Sequence, residues 1–236
     1  MTQTILITGV GKRVGLYLAT HLTNEGYQVI GTYRTLRPEL QQLEALGVQL
    51  YCCDFYQSEQ TEQLIANIKQ SYSSLRAIIH NASDWLPDAD DANPLATIEQ
   101  MMRIHASTPY AINQALTPLL HHNASPFADI IHITDYVVDK GSKKHAAYAA
   151  SKAALHSLTL SFAAKLAPKI KVNSIAPAML MFNLDDDDNY KQKALKKALI
   201  QQEGGEAEAL KAVKYLLDSQ YMTGQSLKID GGRHLV

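Results

Sequence analysis

Thr8-Gly9-Val10-Gly11-Lys12-Arg13-Val14-Gly15 is the stretch that decides how the rest of the chain is read. It follows the apolar, β-branched run Thr4-Ile5-Leu6-Ile7 and leads into Val14, Leu18 and Leu22, spaced as one face of a helix. A glycine-rich turn between strand and helix lets backbone approach a diphosphate and aims the free N–H groups of the helix start at it. Outward from this turn the same alternation repeats. Strands are predicted over Thr4–Thr8, Gln28–Tyr33, Val48–Cys52, Ala77–His80, Asp129–Thr134, Lys171–Ile175 and Ser226–Ile229, with helical spacing between them, as at Leu64, Ile65 and Ile68. Several of these strands are continuous apolar runs, the pattern of a parallel sheet covered on both faces. The order predicts an α/β fold: one doubly wound parallel sheet of about seven strands with helices on both faces, binding ligands beyond the carboxyl ends of its strands. Neither a repeat nor a Pro/Gly/Ser-rich linker interrupts it, so residues 1–236 are expected to form a single domain.

Composition narrows the function. A chain of 236 residues buries a core without disulfides or metal. Its net charge of -1, with no long basic run, argues against nucleic acid or an anionic membrane as partner. Cys52 and Cys53, adjacent at the end of an apolar run, match neither a disulfide framework nor a metal spacing. They are expected to be buried strand residues in a reducing compartment. The sequence enters a strand at once, and no apolar run nears the ~18 residues of a membrane span. A cytoplasmic protein is therefore expected. His121 and His122 are adjacent and no zinc motif is present, so no metal is expected. The run Asp185-Asp186-Asp187-Asp188 reads as a solvated loop or a helix start, where acids are favoured. A mobile lid is compatible with the same place.

Strand ends supply the candidate site. Sites for NAD usually carry an acid at the end of the second strand to bond the ribose 2′-hydroxyl. Here that strand ends Thr32-Tyr33-Arg34. Arg34 and Arg13 together suit a 2′-phosphate, which favours NADPH by about tenfold or more; the alternative is that Arg34 is merely solvent-exposed. Asp54 follows the third strand and suits the adenine amino group, and Asn81 follows the fourth, near the ribose. Tyr148-Ala149-Ala150-Ser151-Lys152 places a phenol and an ammonium on one helix face. A lysine beside a tyrosine favours phenolate and should pull its pKa down from about 10.

These motifs together resemble the short-chain dehydrogenase/reductase family, with its Rossmann-type fold, over nearly the whole chain. The resemblance runs through Thr8–Gly15, Asp54, Asn81-Ala82-Ser83, Tyr148–Lys152, Val172–Pro177 and Asp230-Gly231-Gly232. Three positions depart from the general pattern. Arg13 replaces the middle glycine of the turn, Asp135 the catalytic serine, and His105 the helix asparagine. The first two resemble the pteridine reductase branch. Thr134–Val138, Tyr148–Leu155, Lys165–Pro168 and Gly231–Leu235 are closest to its bacterial dihydromonapterin-reducing members.

The resemblance implies NADPH-dependent reduction of 7,8-dihydromonapterin to the 5,6,7,8-tetrahydro form, with weaker action on dihydrofolate. Tyr148 would donate the proton, Lys152 would hold the ribose and tune the phenol, and Asp135 would orient or recharge that relay. The implied cofactor residues are Gly9, Arg13, Val14, Gly15, Tyr33, Arg34, Asp54, Asn81, Tyr148, Lys152 and Pro177. The implied pterin residues are Arg13, Trp85, Asp135, Tyr148 and Met179, with a substrate loop at about 178–203. Trp85 is either the aromatic that stacks on the pterin or an ordinary packing residue. His105 is either a proton relay or a satisfied helix residue. A homotetramer is implied, with Arg233 the candidate to reach a neighbouring subunit's site. The rivals are a carbonyl or 3-oxoacyl reductase of the same family, against which Asp135 argues, and a non-catalytic NADPH-binding regulator, against which the retained Tyr148 and Lys152 argue. Preference among monapterin, biopterin and folate is left to the geometry of the loop.

Overall fold

The computed structural model describes residues 2–89, 93–183 and 185–236; Leu184, inside the expected substrate loop, lies outside the described residues. The strands are β1 (Thr4–Ile7), β2 (Gln28–Tyr33), β3 (Gln49–Cys52), β4 (Ala77–His80), β5 (Ala128–Ile133), β6 (Ile170–Pro177) and β7 (Ser226–Ile229). The helices are α1 (Arg13–Asn24), α2 (Glu39–Ala45), α3 (Ser58–Ser71), α4 (Pro94–Met102), α5 (Thr108–His121), α6 (Val137–Lys140), α7 (Ala146–Leu166), α8 (Asp188–Leu195) and α9 (Glu206–Asp218). A π-helical turn, Arg103–Ser107, joins α4 to α5, and a 3₁₀ turn, Arg233–Leu235, follows β7.

All seven strands are parallel, in the order β3-β2-β1-β4-β5-β6-β7. The expected doubly wound sheet is the observed one. Strand order reverses between β1 and β4, where such sheets open a crevice for ligands. Both cores follow from the two-residue period of a strand. Ile5 and Ile7 of β1 pack on one face with Leu18 and Leu22 of α1 and Val213 and Leu216 of α9. Leu6 points the other way, into the cluster of Ile68, Ile112, Leu116 and Phe162 from α3, α5 and α7. Truncating one such leucine to alanine costs about 2–5 kcal/mol.

Beneath the sheet, buried Asp129 at the start of β5 pairs with Arg76 and with Lys171 (3.0 Å). Both cations also donate to α9, Arg76 to Leu217 O (2.7 Å) and Lys171 to Leu216 O (2.8 Å). This ionic tie locks α9 across the amino ends of three strands and leaves the carboxyl ends for the site. One expectation is corrected. Cys53 is buried, but Cys52 is exposed, because β3 is the sheet's edge strand and its outer face has no cover. Among the described residues no His/Cys/Asp/Glu group is placed to hold a metal, and no helix is long and apolar enough to cross a membrane.

Candidate active site

The glycine turn is built by close approach. A Cβ on Gly15 would lie 2.1 Å from Gly9 O, and one on Gly9, itself left-handed at φ +75, would lie 2.8 Å from Ala82 Cα. Asn81 pins the turn, its Nδ2 donating to Thr8 O (3.0 Å) and Gly9 O (2.9 Å). Thr8 Oγ1 accepts from the Asn81 and Ala82 amides (3.0 Å each). Asn81 thus holds the turn in place. At the start of α1, where Val14 lies, no side chain caps the helix and the first turn carries no acid. Its N–H donors, beside the basic Lys12 and Arg13, suit an anion, so the residues present fit a dinucleotide diphosphate.

The two arginines expected together at a 2′-phosphate have separate partners within the chain. Arg13 is left-handed (φ +54) and sends its guanidinium to Met181 O (3.0 Å) and Asn183 Oδ1. It ties the turn to the substrate loop. Arg34 instead donates to Asp84 Oδ2 (3.0 Å), and its guanidinium carbon lies 5.7 Å from the Tyr56 ring centroid. The Tyr56 hydroxyl donates to the same Asp84 oxygen (3.2 Å). Arg37 also lies at the turn, its Cδ 3.8 Å from where a Gly11 Cβ would stand, next to Tyr33 Cβ (3.7 Å). Sequence reasoning missed Asp84, Tyr56 and Arg37, since no motif spacing marks them. Asp54 forms the turn after β3, accepting from Tyr56 N (3.1 Å) while its own amide donates to Gln60 (2.8 Å).

At the ends of β5 and β6 stands the second half of the site. Asp88 accepts from the Ala146 and Ala147 amides at the start of α7, setting the helix that carries Tyr148 and Lys152. The Tyr148 hydroxyl donates to Asp135 Oδ2 (2.8 Å), and Asp135 Oδ1 accepts from Val137 N (3.0 Å). Lys152 donates to Ile133 O (2.9 Å), with its Nζ 5.7 Å from the Tyr148 ring centroid. Pro177, at the end of β6, accepts from Tyr136 N (3.2 Å) and so braces the Asp135 segment.

The electrostatics reverse the expected effect on the phenol. Burial, followed by the charge and hydrogen bond of Asp135, pushes the Tyr148 pKa well above its ordinary value. Burial is the largest cause, and the acid that replaces serine adds to it. Burial lowers Lys152 itself to about 8, against the pull of Asp135. Burial raises the Asp135 carboxyl despite the bonds from Val137 and Tyr148 and the charges of Lys152 and Arg233.

His105 lies on the π-helical turn, is 1% exposed, and meets the Tyr148 ring edge-on at 5.4 Å. Ser151 donates to Tyr148 O (2.7 Å), so its oxygen accepts from His105 Nδ1 (2.8 Å), and His105 Nε2 accepts from Ser83 (2.7 Å). Burial, then Lys152, lowers His105 to about 2. It is a neutral imidazole joining the Asn81–Ser83 segment to the helix of Tyr148.

Trp85 is 59% exposed and stacks on His145 at 4.0 Å. Met179 is left-handed (φ +54), and its carbonyl accepts from Gly204 N (3.1 Å) while Leu180 O accepts from Gly205 N (2.7 Å). These bonds clasp the base of the substrate loop. Within it Asp187 caps α8 by accepting from Tyr190 N (2.7 Å), and Asp186 accepts from Asn183 N (2.7 Å). The acid run is a turn, Asp185-Asp186, leading into a helix start, Asp187-Asp188. Arg233 stacks on its own chain's Tyr136, 4.9 Å from the ring centroid, and its Nη1 lies 3.5 Å from Ala194 O.

A turn fit for a diphosphate and a tyrosine–lysine pair on one edge of a doubly wound sheet define a nicotinamide-dependent oxidoreductase. A family model described as enoyl-(acyl carrier protein) reductase matches residues 9–234. The chain belongs to the short-chain dehydrogenase/reductase family. It is 48% identical over 231 residues to dihydromonapterin reductase of Escherichia coli, covering 98% of this chain and 96% of that protein. Among solved structures, the Pseudomonas aeruginosa RhlG/NADP active-site complex shares 25% identity at a TM-score of 0.88, over 98% of this chain and 96% of that one. FolM alternative dihydrofolate reductase 1 from Brucella canis, complexed with NADP, has the same fold (TM-score 0.87, 24% identity, 99% and 94% covered).

Proposed function

We propose that this protein reduces 7,8-dihydromonapterin to 5,6,7,8-tetrahydromonapterin with NADPH, and dihydrofolate more weakly. The 2.8 Å bond from the Tyr148 hydroxyl to Asp135 carries the reading. A ketone reductase uses a neutral hydroxyl here to polarise a carbonyl oxygen. A carboxyl suits a substrate whose reduced C=N bond needs a proton delivered to nitrogen. The 48% identity to a dihydromonapterin reductase supports the same assignment.

NADPH, when bound, supplies the hydride. Gly9, Val14 and Gly15 of the turn, with Asn81 and Pro177, would hold its diphosphate and nicotinamide end; Tyr33, Arg34 and Asp54 would hold the adenosine end. Tyr148, kept protonated by burial and by Asp135, donates its proton to N5 of the pterin. Asp135 orients the phenol and passes back to it a proton taken up from solvent. Lys152 holds the ribose side. Trp85 and Met179 supply walls for the flat heterocycle, and the loop at about 178–203, tethered by Arg13, closes over it. As the family resemblance implies, the working form would be a cytoplasmic homotetramer, which light scattering checks.

The test follows NADPH absorbance with 7,8-dihydromonapterin, dihydrobiopterin and dihydrofolate as substrates. Turnover should be fastest with the dihydropterins, and Tyr148→Phe should lose it by about a thousandfold or more while still binding NADPH. No turnover on any of the three, with NADPH bound, would overturn the assignment.

A further inference from the structure

The end of β2, Thr32-Tyr33-Arg34, carries no acid of its own. The fold brings one there from a different strand. Asp84, three residues beyond Asn81 after β4, places Oδ2 3.0 Å from Arg34 Nη1 and 3.2 Å from the Tyr56 hydroxyl. Its Oδ1 accepts from Trp85 N (3.1 Å). Burial raises this carboxyl, but the Arg34 and Trp85 bonds outweigh it and hold the pKa below its ordinary value. Asp84 is therefore charged at neutral pH, and the Arg34 charge is already half spoken for.

We propose that Asp84 is a specificity-determining residue that narrows the preference for NADPH over NADH by sharing Arg34 with the cofactor's 2′-phosphate. The inference rests on the reading of Arg34 as the residue that holds that phosphate. A guanidinium presents five donors in a fixed fork, so Asp84 on Nη1 leaves the other edge for a second anion. A phosphate near -2 arriving there meets the carboxylate as a like charge. A 2′-hydroxyl meets no repulsion and can donate to a carboxylate, which is the service an acid after the second strand gives in NAD sites. Asp84 thus weakens the binding of one cofactor and tolerates the other. Side chains of Arg34 and Asp84 are 50% and 32% exposed, so water and salt screen the effect to a few-fold.

The experiment is calorimetric titration of the ligand-free protein with NADPH and with NADH, at low and high salt, which needs no turnover. Asp84→Asn removes the charge and keeps one oxygen, enough for the bond from Trp85 N or for the bond from Arg34 but not for both. It should raise the ratio of the NADH to the NADPH dissociation constant about fivefold at low salt, and less at high salt. In Arg34→Gln the ratio should fall towards about one. A ratio unchanged or lowered in Asp84→Asn, with the Arg34→Gln collapse intact, overturns the role of Asp84 and leaves the cofactor reading standing. A ratio unmoved by Arg34→Gln overturns both.

Discussion

Tyr148 sits between a carboxyl that accepts its hydroxyl and an ammonium whose charge would favour the phenolate. Burial first, then the charge and hydrogen bond of the carboxyl, keep the phenol protonated, as a donor in a reduction requires, while the ammonium donates to Ile133 O rather than to the phenol. The ionisation that reaches the working range is that of Lys152, lowered to about 8. The ammonium is present below that pH and lost above it. The kcat/KM for NADPH, which reports the free enzyme, should hold to near pH 8 and then fall about tenfold per unit. A profile flat from pH 7 to pH 9 would show that the charge is not needed. His105, lowered to about 2 by burial and then by Lys152, is uncharged at neutral pH. Its bonds to Ser83 and Ser151 make it a positioning residue. His105→Ala should lower kcat roughly tenfold and leave NADPH affinity and the pH limbs in place, with His105→Asn recovering part of the loss. Loss of a pH limb in that variant would make the histidine a proton carrier instead.

At the scale of elements, the first turn and α1 meet more closely than any side chain allows. Gly15→Ala forces a Cβ within 2.1 Å of Gly9 O and 2.5 Å of Asn81 Nδ2. Overpacking of this kind costs about 1–3 kcal/mol. It should also displace the turn, so NADPH affinity should fall about tenfold or more even in protein that urea titration shows to be folded. The central strands β1, β4 and β5 were legible because they are buried on both faces and read as apolar runs. Strand β6 extends past the expected Lys171–Ile175 at both ends, to Ile170 and Pro177; Asn173 inside it is buried because Met222 O and Gln225 N satisfy its amide. Neither α6 nor the π-helical turn carries a local signal of its own. In the site, Tyr148, Lys152, Asp135 and Asn81 were legible from motif spacing. Asp84, Tyr56, Ser83 and Ser151 were not, because Ser83 meets His105 22 residues away and Arg34 meets Asp84 across 50. Only the sheet order creates those meetings.

Across the whole molecule, β4, β5, α5 and α7 are joined by one directed chain of polar side chains. Thr159 donates to Leu155 O (3.2 Å), so it accepts from His132 Nδ1 (2.8 Å). His132 Nε2 is then bare and accepts from Asn113 Nδ2 (3.2 Å), whose Oδ1 accepts from His80 Nε2 (2.7 Å). A proton on His132 Nε2 would face the donors of Asn113. Burial lowers His80 to about 4 and His132 well below its ordinary value, as it lowers His105. All three shifts are depressions, so below about pH 6.5 the unfolded chain binds more protons than the folded one, and stability falls with pH. For His80 that loss ends near pH 4. Each histidine withholds about 2 kcal/mol at pH 5 relative to neutrality. Asp129 and Asp135, whose carboxyls burial raises, act in the opposite sense as pH nears the carboxylate range. The net loss between pH 7 and pH 5 should reach several kcal/mol, a large share of a domain's stability of about 5–15 kcal/mol. Urea unfolding at the two pH values measures it. An unchanged midpoint would mean that these imidazoles take up protons inside the intact fold, which requires the Asn113 amide to turn over and the chain of donors to reverse.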